Sequence, residues 1–221
     1  TNKNTKYFII MSFRLEKKYI LNPKKYSDFI RYLLSIKANK IHEKRIIFST
    51  YFDNDFFTAY KHSEEGIVPR KKIRIRSYNN DLHLENSKLE VKISSENNRF
   101  KKIDTINNKK NLENFLNNGL TDKNYGHCKA ILNISYEREY YLLNDQRITL
   151  DKKIVYSSYK NNKKKFYEPL SIIEFKSDVN SEINSLNNIM TNSVSRFSKY
   201  CRGMNKVFFN IKKYTKKKKK K

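Results

Sequence analysis

The feature that most constrains this chain is the alternation of charge and hydrocarbon in its extended segments. Side chains at i and i+2 of a strand share a face, so Ile73-Arg74-Ile75-Arg76 turns both isoleucines one way and both arginines the other. Leu89, Val91 and Ile93 alternate with Lys88, Glu90 and Lys92, and Ile173 and Phe175 with Glu174 and Lys176. Ile148 and Leu150 alternate with Arg147, Thr149 and Asp151, while Phe13 and Leu15 alternate with Arg14, Glu16 and Lys18. Ile134 leads into Tyr136 and Arg138 on the same period. One such strand is an ordinary amphipathic strand with its charges in water. Six with Arg, Lys and Glu two apart predict a sheet that curves its charged faces inward, around an ionic lumen. The apolar faces then pack outward against helices.

The remaining sequence supplies those helices. Asn22 is an N-cap and Pro23 an N1 residue for a helix through about Ala38, with Tyr26, Phe29, Ile30, Leu33 and Leu34 on one stripe. A second helix runs over Lys109–Asn118 with Gly119 at C′, and a third over Ser181–Met190. Strands are expected at Phe13–Leu21, Ile46–Phe52, Phe56–Lys61, Lys71–Tyr78, Ser87–Ser94, Ala130–Leu142, Gln146–Tyr159 and Ser171–Ser177. Turns are expected at Asn79-Asn80-Asp81 and Asn144-Asp145. The fold class is α+β, dominated by antiparallel sheet, in one domain.

Charge narrows the partner. The 48 Lys+Arg and 22 Asp+Glu leave a net charge of +26, and the body keeps +18 without the eight lysines of Lys212–Lys221. That tail reads as a solvated arm, with docking on an anionic surface as its functional alternative. Hydrophobic residues at 38% and aromatics at 14% can bury a core, so wholesale disorder is excluded. No stretch approaches the length of apolar residues a spanning helix needs. Cys128 and Cys201 do not cluster with the four histidines, which excludes a Cys/His metal site and fits a reducing, cytoplasmic setting. No Walker loop or Gly-rich RNA-binding motif is present, so no specific nucleic-acid partner is expected. A lumen of many cations and few carboxylates suits a linear polyphosphate or a nucleoside triphosphate with a divalent metal. Arg offers bidentate contacts to phosphate, Lys a mobile charge and Glu a hard oxygen ligand.

The motifs in their order resemble a known family. They are Arg14-Leu-Glu16-Lys-Lys18-Tyr19, Ser49-Thr-Tyr51-Phe52-Asp53, Arg70-Lys-Lys72-Ile-Arg74-Ile-Arg76-Ser-Tyr78 and Leu89-Glu90-Val-Lys92. Then follow Tyr136-Glu-Arg138-Glu-Tyr140, Arg147-Ile-Thr149-Leu-Asp151, Ile173-Glu174-Phe-Lys176 and Ser198-Lys199-Tyr200-Cys201-Arg202. From about Phe13 to Met204 the chain resembles the VTC domain, the polyphosphate polymerase domain of the triphosphate tunnel metalloenzymes. The resemblance implies an antiparallel eight-stranded β tunnel with a charged lumen and flanking helices over 13–211. Residues 1–12 are expected to be an extension and 212–221 a disordered tail.

The resemblance also implies roles. Lys18, Arg74, Arg76, Lys92, Arg138 and Arg147 would form the catalytic cation set, and Lys176, Lys199 and Arg202 would bind substrate. Glu174 would hold Mn²⁺ or Mg²⁺, with Glu16 and Glu90 as weaker candidates. The implied reaction is transfer of the ATP γ-phosphate to a growing inorganic polyphosphate chain. Arg14, where related tunnel enzymes carry a first glutamate, favours the polymerase branch over the triphosphatase branch. Two alternatives stay open at this point: a tunnel-fold hydrolase of tripolyphosphate or nucleoside triphosphates, and a non-catalytic module binding polyphosphate or nucleic acid. A membrane-associated partner and peripheral membrane association also stay open through the tail.

Overall fold

The computed structural model describes residues 8–11, 15–78, 87–96, 99–143, 146–177 and 196–209. One antiparallel sheet organises them. Eight strands have seven or more residues: β2 (Leu15–Leu21), β3 (Asn39–Asp53), β4 (Arg70–Ser77), β5 (Lys88–Ser94), β6 (Arg99–Thr105), β8 (Gly126–Leu143), β9 (Gln146–Ser158) and β11 (Ser171–Ser177). Three short ones join them: β1 (Phe8–Met11), β7 (Leu120–Asp122) and β10 (Lys165–Tyr167). The strand order is β1-β6-β5-β4-β3-β8-β9-β11-β2, with β10 on β9 and β7 on β8.

Covalent geometry makes this sheet curl. β1 and β2 lie at opposite ends of the hydrogen-bonded path, yet Leu15 is only four steps along the chain from Met11. Four extended residues span roughly 14 Å at most, so the two edges must come close. Ion pairs bridge the same gap: Glu16 on β2 reaches Lys92 on β5 at 3.5 Å and Arg99 on β6 at 3.7 Å. The backbone path is open between β1 and β2, and side chains span the opening.

The outward apolar faces are covered as the alternation requires. Helix α1 (Pro23–Ser35) is capped by the Asn22 side chain, which accepts from the Lys25 N–H at 2.9 Å. It buries Phe29 and Leu33 against Tyr19, Leu21, Ile148, Leu150, Ile173 and Phe175 of β2, β9 and β11. Helix α3 (Lys109–Asn118) is capped by Asn108 and packs Leu112 into a cluster with Phe52, Ile73, Ile75 and Ala130. Gly119 follows it at φ +77°, where an added Cβ would lie 2.3 Å from the Cys128 carbonyl oxygen.

One end of the inner face departs from the expected ionic lumen. Register places Ile134 and Leu132 on the same face of β8 as Tyr136, and Ile172 on the same face of β11 as Glu174. These residues pack with Ile47, Tyr156, Tyr200, Cys201 and Met204. Helix α4 (Lys199–Met204), continued by a π-helical turn over Asn205–Phe209, lies against them. Gly203 makes that approach possible, since an added Cβ would sit 2.7 Å from the Tyr156 ring and 2.8 Å from Leu132.

Four expectations need correction. Phe56–Lys61 is not a strand, because α2 (Thr58–Glu65) occupies it. The Asp53 carboxylate accepts from the Ala59 and Tyr60 N–H groups, and the Asn54 side chain accepts from Phe56 and Thr58, which nucleates the helix. β6 fills the eighth long strand's place and was not foreseen, since Arg99-Phe-Lys-Lys-Ile-Asp-Thr lacks a clean alternation. β3 starts at Asn39 rather than Ile46, its first seven residues being mostly exposed and without a period-two signal. Residues 8–11 of the expected extension pair with β6. Phe13, Arg14, the turns at 79–81 and 144–145, the helix 181–190 and the tail lie outside the described residues. Among the described residues, no helix is long and apolar enough to cross a membrane.

Candidate functional site

The charged inner face resolves into three ionic clusters, each built around a buried carboxylate. Strand register creates the first: Arg74 on β4 lies opposite Glu90 on β5 and Tyr51 on β3. Glu90 Oε2 accepts from Arg74 Nε at 2.8 Å and Nη2 at 2.6 Å, and Oε1 accepts from Lys101 Nζ at 2.5 Å. Arg76 Nη1 stands 3.8 Å from the same carboxylate. Arg74 Nη1 also donates to the Tyr51 hydroxyl at 2.8 Å, and Arg76 Nη2 to the Tyr136 hydroxyl at 3.2 Å.

Asp151 on β9 anchors the second cluster. Arg138, its cross-strand neighbour on β8, grips it with Nε at 2.5 Å and Nη2 at 2.7 Å. Lys199, the first residue of α4, donates to Oδ2 at 2.5 Å. The Lys199 ammonium and the Arg138 guanidinium both lie over the Tyr136 ring, 4.6 and 5.3 Å from its centroid. Tyr136 therefore joins the first two clusters as an aromatic wall.

The third cluster lies on β2 and β11, where register sets Lys18 opposite Glu174 and Glu16 opposite Lys176. Lys18 Nζ is 2.8 Å from Glu16 and 3.6 Å from Glu174, so two carboxylates bracket one ammonium. Lys176 holds the far oxygen of Glu174 at 2.9 Å.

These contacts set the ionisation. Burial alone would raise the Glu90 carboxyl, but Arg74, Arg76 and Lys101 hold it well below the usual carboxylate range. Burial likewise opposes ionisation of Asp151 and Glu174, and Arg138 with Lys199, and Lys18 with Lys176, outweigh it. Glu16 is pushed up by burial and by Glu174, yet its lysines leave it lowered. Burial would also lower Lys18, and Glu174, Glu16 and Asp151 outweigh that and raise it. All four carboxylates are charged near neutrality. Among the described residues, ten cationic side chains still outnumber them on this face: Lys18, Lys72, Arg74, Arg76, Lys92, Arg99, Lys101, Arg138, Lys176 and Lys199.

Of the residues singled out from sequence, Lys18, Arg74, Arg76, Lys92, Arg138, Lys176, Lys199, Glu16, Glu90 and Glu174 converge on this face. Arg147 stands beside it, opposite Lys176 and 5.7 Å from the Tyr140 ring centroid. Arg202 points elsewhere, into an ion pair with buried Glu168 at 2.8 Å. Three cations escaped the sequence reading. Lys101 and Arg99 sit on the unforeseen β6, whereas Lys72 precedes Arg74 by two and shares its face, a signal present in the motif itself. Lys72 Nζ donates to the Ser198 hydroxyl at 2.8 Å, and burial lowers its pKa.

The carboxylates differ in their fitness for a divalent metal. Among the described residues, no three His, Cys, Asp or Glu side chains come together as a metal cluster. Glu90 is engaged by three cations. Glu16 and Glu174 are paired as well, Glu16 with Lys92 and Arg99 and Glu174 with Lys176, but both turn to the one Lys18 ammonium and so present two carboxylates to a single position. That suits an ion such as Mg²⁺, which takes one or two carboxylates and completes its shell with water and substrate phosphate.

Comparison with known proteins agrees with this geometry. An adenylate cyclase candidate from Bacillus halodurans aligns with a TM-score of 0.60 at 16% identity, over 87% of this chain and 97% of its own. An adenylyl cyclase candidate from Hippeastrum, described with a dominant triphosphatase activity, aligns with a TM-score of 0.53 at 12% identity, covering 87% of this chain and 95% of its own. A protein of Pyrococcus horikoshii aligns with a TM-score of 0.51 at 15% identity, covering 85% and 98%. At these identities the likeness is one of fold, that of the triphosphate tunnel proteins. No curated protein matches the chain. The VTC domain, however, matches over residues 13–127 and 108–208, nearly the whole chain. An antiparallel sheet wrapped around a cationic lumen, with these motifs in order along its strands, thus belongs to the VTC domain family.

Proposed function

We propose that this domain is a polyphosphate polymerase, transferring the γ-phosphoryl group of ATP to the end of an inorganic polyphosphate chain held in the lumen. The observation that carries this reading is the excess of ten cations over four carboxylates on one concave face. A linear polyanion matches a row of cations, each phosphate exchanging a carboxylate contact for its own. Arg74 and Arg138 already lie in bidentate geometry on carboxylates, the geometry that phosphate oxygens also accept.

In this mechanism a terminal phosphate oxygen of the acceptor attacks the γ-phosphorus in line. The bond from γ-phosphorus to the β–γ bridging oxygen breaks, and ADP departs. No side-chain nucleophile is required, because the acceptor is already an anion, and catalysis rests on positioning and charge neutralisation. Arg74, Arg76 and Lys101 serve one wall, Arg138 and Lys199 a second, and Lys18, Lys92 and Lys176 the third. Glu174 and Glu16 would hold Mn²⁺ or Mg²⁺, which when bound adds positive charge to the phosphate oxygens. Arg147 contributes from beside Lys176.

Incubation with ATP and Mn²⁺, with and without a pyrophosphate primer, tests the reading. ADP and long-chain polyphosphate are expected to rise together. Free phosphate without chains would assign the lumen to hydrolysis, the activity named for the Hippeastrum neighbour of the same fold. Arg74→Ala is expected to cost about 2–4 kcal/mol in transition-state stabilisation, by analogy with loss of an oxyanion donor. Full turnover in that variant would remove Arg74 from the catalytic set.

A further inference from the structure

The two ends of the charged inner face differ in what holds their arginines. On β4 and the residue after it, Arg70 marks one end and Tyr78 the other. At the first end Arg70 Nη1 donates to the Gly66 and Ile67 carbonyls at 3.2 Å, and Arg196 Nη2 to the Ser63 carbonyl at 2.7 Å. At the second end, away from α4, tyrosine rings take the place of carbonyls. Arg45 on β3 lies over the rings of Tyr78 and Tyr140, 5.9 and 5.7 Å from their centroids. Arg147 on β9 lies over Tyr140 as well, at 5.7 Å, and the His42 ring meets Tyr140 edge-on at 5.3 Å.

Strand periodicity puts this group on the face that lines the lumen. Tyr78 follows Arg76 by two residues and Tyr140 follows Arg138 by two, while Arg147 precedes Asp151 by four. Arg45 lies opposite Arg138 in the β3–β8 register. Tyr140 is only 4% exposed, whereas Arg45 and Arg147 are both exposed. Among the described residues, no carboxylate pairs with Arg45 or Arg147, although Arg74 and Arg138 farther in are each gripped by one. The mouth therefore presents two guanidinium planes, each backed by a tyrosine ring and claimed by no described acid.

On the reading of the lumen as a polyphosphate polymerase, we propose that this mouth seats the base of the donor nucleotide and takes adenine and guanine alike. Nucleobases stack on guanidinium planes as they do on aromatic rings. Two residues of strand cover roughly 7 Å, so a base resting on Arg45 directs its phosphates inward to Arg76 and Arg138. Stacking reads the π face that both purines share. Their edges carry opposite donor and acceptor patterns, which a guanidinium plane beneath the ring does not read. The Arg70 end, where backbone carbonyls rather than rings hold the guanidiniums, offers a base no such platform.

Isothermal titration of the full chain at fixed salt and Mg²⁺ tests this with three probes: tripolyphosphate and the β,γ-imido analogues of ATP and GTP. The two analogues are expected to bind within about fivefold of each other, because both offer a purine π face. Arg45→Lys, at an exposed side chain, keeps the charge and removes the plane. It is expected to weaken both analogues by about fivefold or more and to leave tripolyphosphate affinity unchanged. Tyr78→Leu, which removes a ring without touching a charge, is expected to act in the same direction. An Arg45→Lys variant that binds all three probes as the wild type does, or loses tripolyphosphate as much as the analogues, overturns the proposal. So does a wild-type preference for one purine beyond about fivefold, which would mean that base edges are read. Wild-type protein that binds tripolyphosphate but neither analogue removes the base site alone. Protein that binds none of the three removes the lumen reading beneath it.

Discussion

Lys72 and Lys92 show how the lumen sets the behaviour of single side chains. Lys72 contacts a hydroxyl rather than a carboxylate, so an incoming phosphate need not displace an acid to reach it. Lys72→Met is expected to weaken tripolyphosphate binding by about tenfold or more, the weight of one charge-assisted contact. Isothermal titration at fixed salt checks it, and an unchanged affinity would leave Lys72 as a support for Ser198 alone. Lys92 is crowded by the walls despite a side chain 42% exposed, and burial lowers its pKa to about 8. Its charge is therefore present below pH 8 and lost as pH rises through that value. Phosphate affinity is expected to fall between about pH 8 and 10, and Lys92→Arg, charged throughout, to flatten the decline. A wild-type profile that stays level across this range would contradict the assignment.

At the scale of elements, α4 links the lumen to the core. It carries Lys199 onto Asp151, its Tyr200 hydroxyl donates to Asp53 at 2.6 Å, and the Tyr200 ring stacks on Tyr51 at 5.0 Å. Asp53 meanwhile caps α2, so one buried carboxylate ties two helices to β3. Gly203→Ala would press a methyl group into Tyr156 and Leu132, costing about 1–3 kcal/mol. Thermal unfolding should show a lower Tm, and tripolyphosphate binding should weaken as Lys199 shifts. A stable variant with full affinity would mean that α4 packs more loosely than the structure shows.

Much of this arrangement was legible in the chain because period-two alternation reports a strand whose two faces differ. Ile73-Arg74-Ile75-Arg76 and Ile173-Glu174-Phe175-Lys176 therefore announced both a lumen and its lining. The signal fails where both faces are similar, as in the exposed first half of β3 and in β6. It misleads at Phe56–Lys61, where side-chain caps from Asp53 and Asn54 override an apolar run. Arg202 shows a further limit: a motif position does not reveal that Glu168, 34 residues earlier in the chain, takes the guanidinium away from the lumen.

At the scale of the molecule, a net charge of +26 repels itself, and two kinds of anion could relieve it. Small anions screen the whole surface and lower the repulsion without choosing a site. A linear polyanion that spans the three lumen clusters binds the folded state selectively, because the clusters exist only when β2, β5 and β9 are brought around one face. Ligand held at about 100 times its Kd adds about 2.7 kcal/mol to stability. For a chain of this length that corresponds to a rise in Tm of roughly 5–10 °C. Tripolyphosphate is therefore expected to raise Tm by that amount, above the rise given by sulfate at equal ionic strength. The increment should shrink in Arg74→Ala and in Arg138→Ala, each of which removes one wall's bidentate grip. It should persist when Lys163, Lys164 and Lys165 are replaced by Gln, since those exposed side chains are not members of the three clusters. Equal shifts from sulfate and tripolyphosphate would mean that the basic charge acts diffusely and that the concave face selects no polyanion.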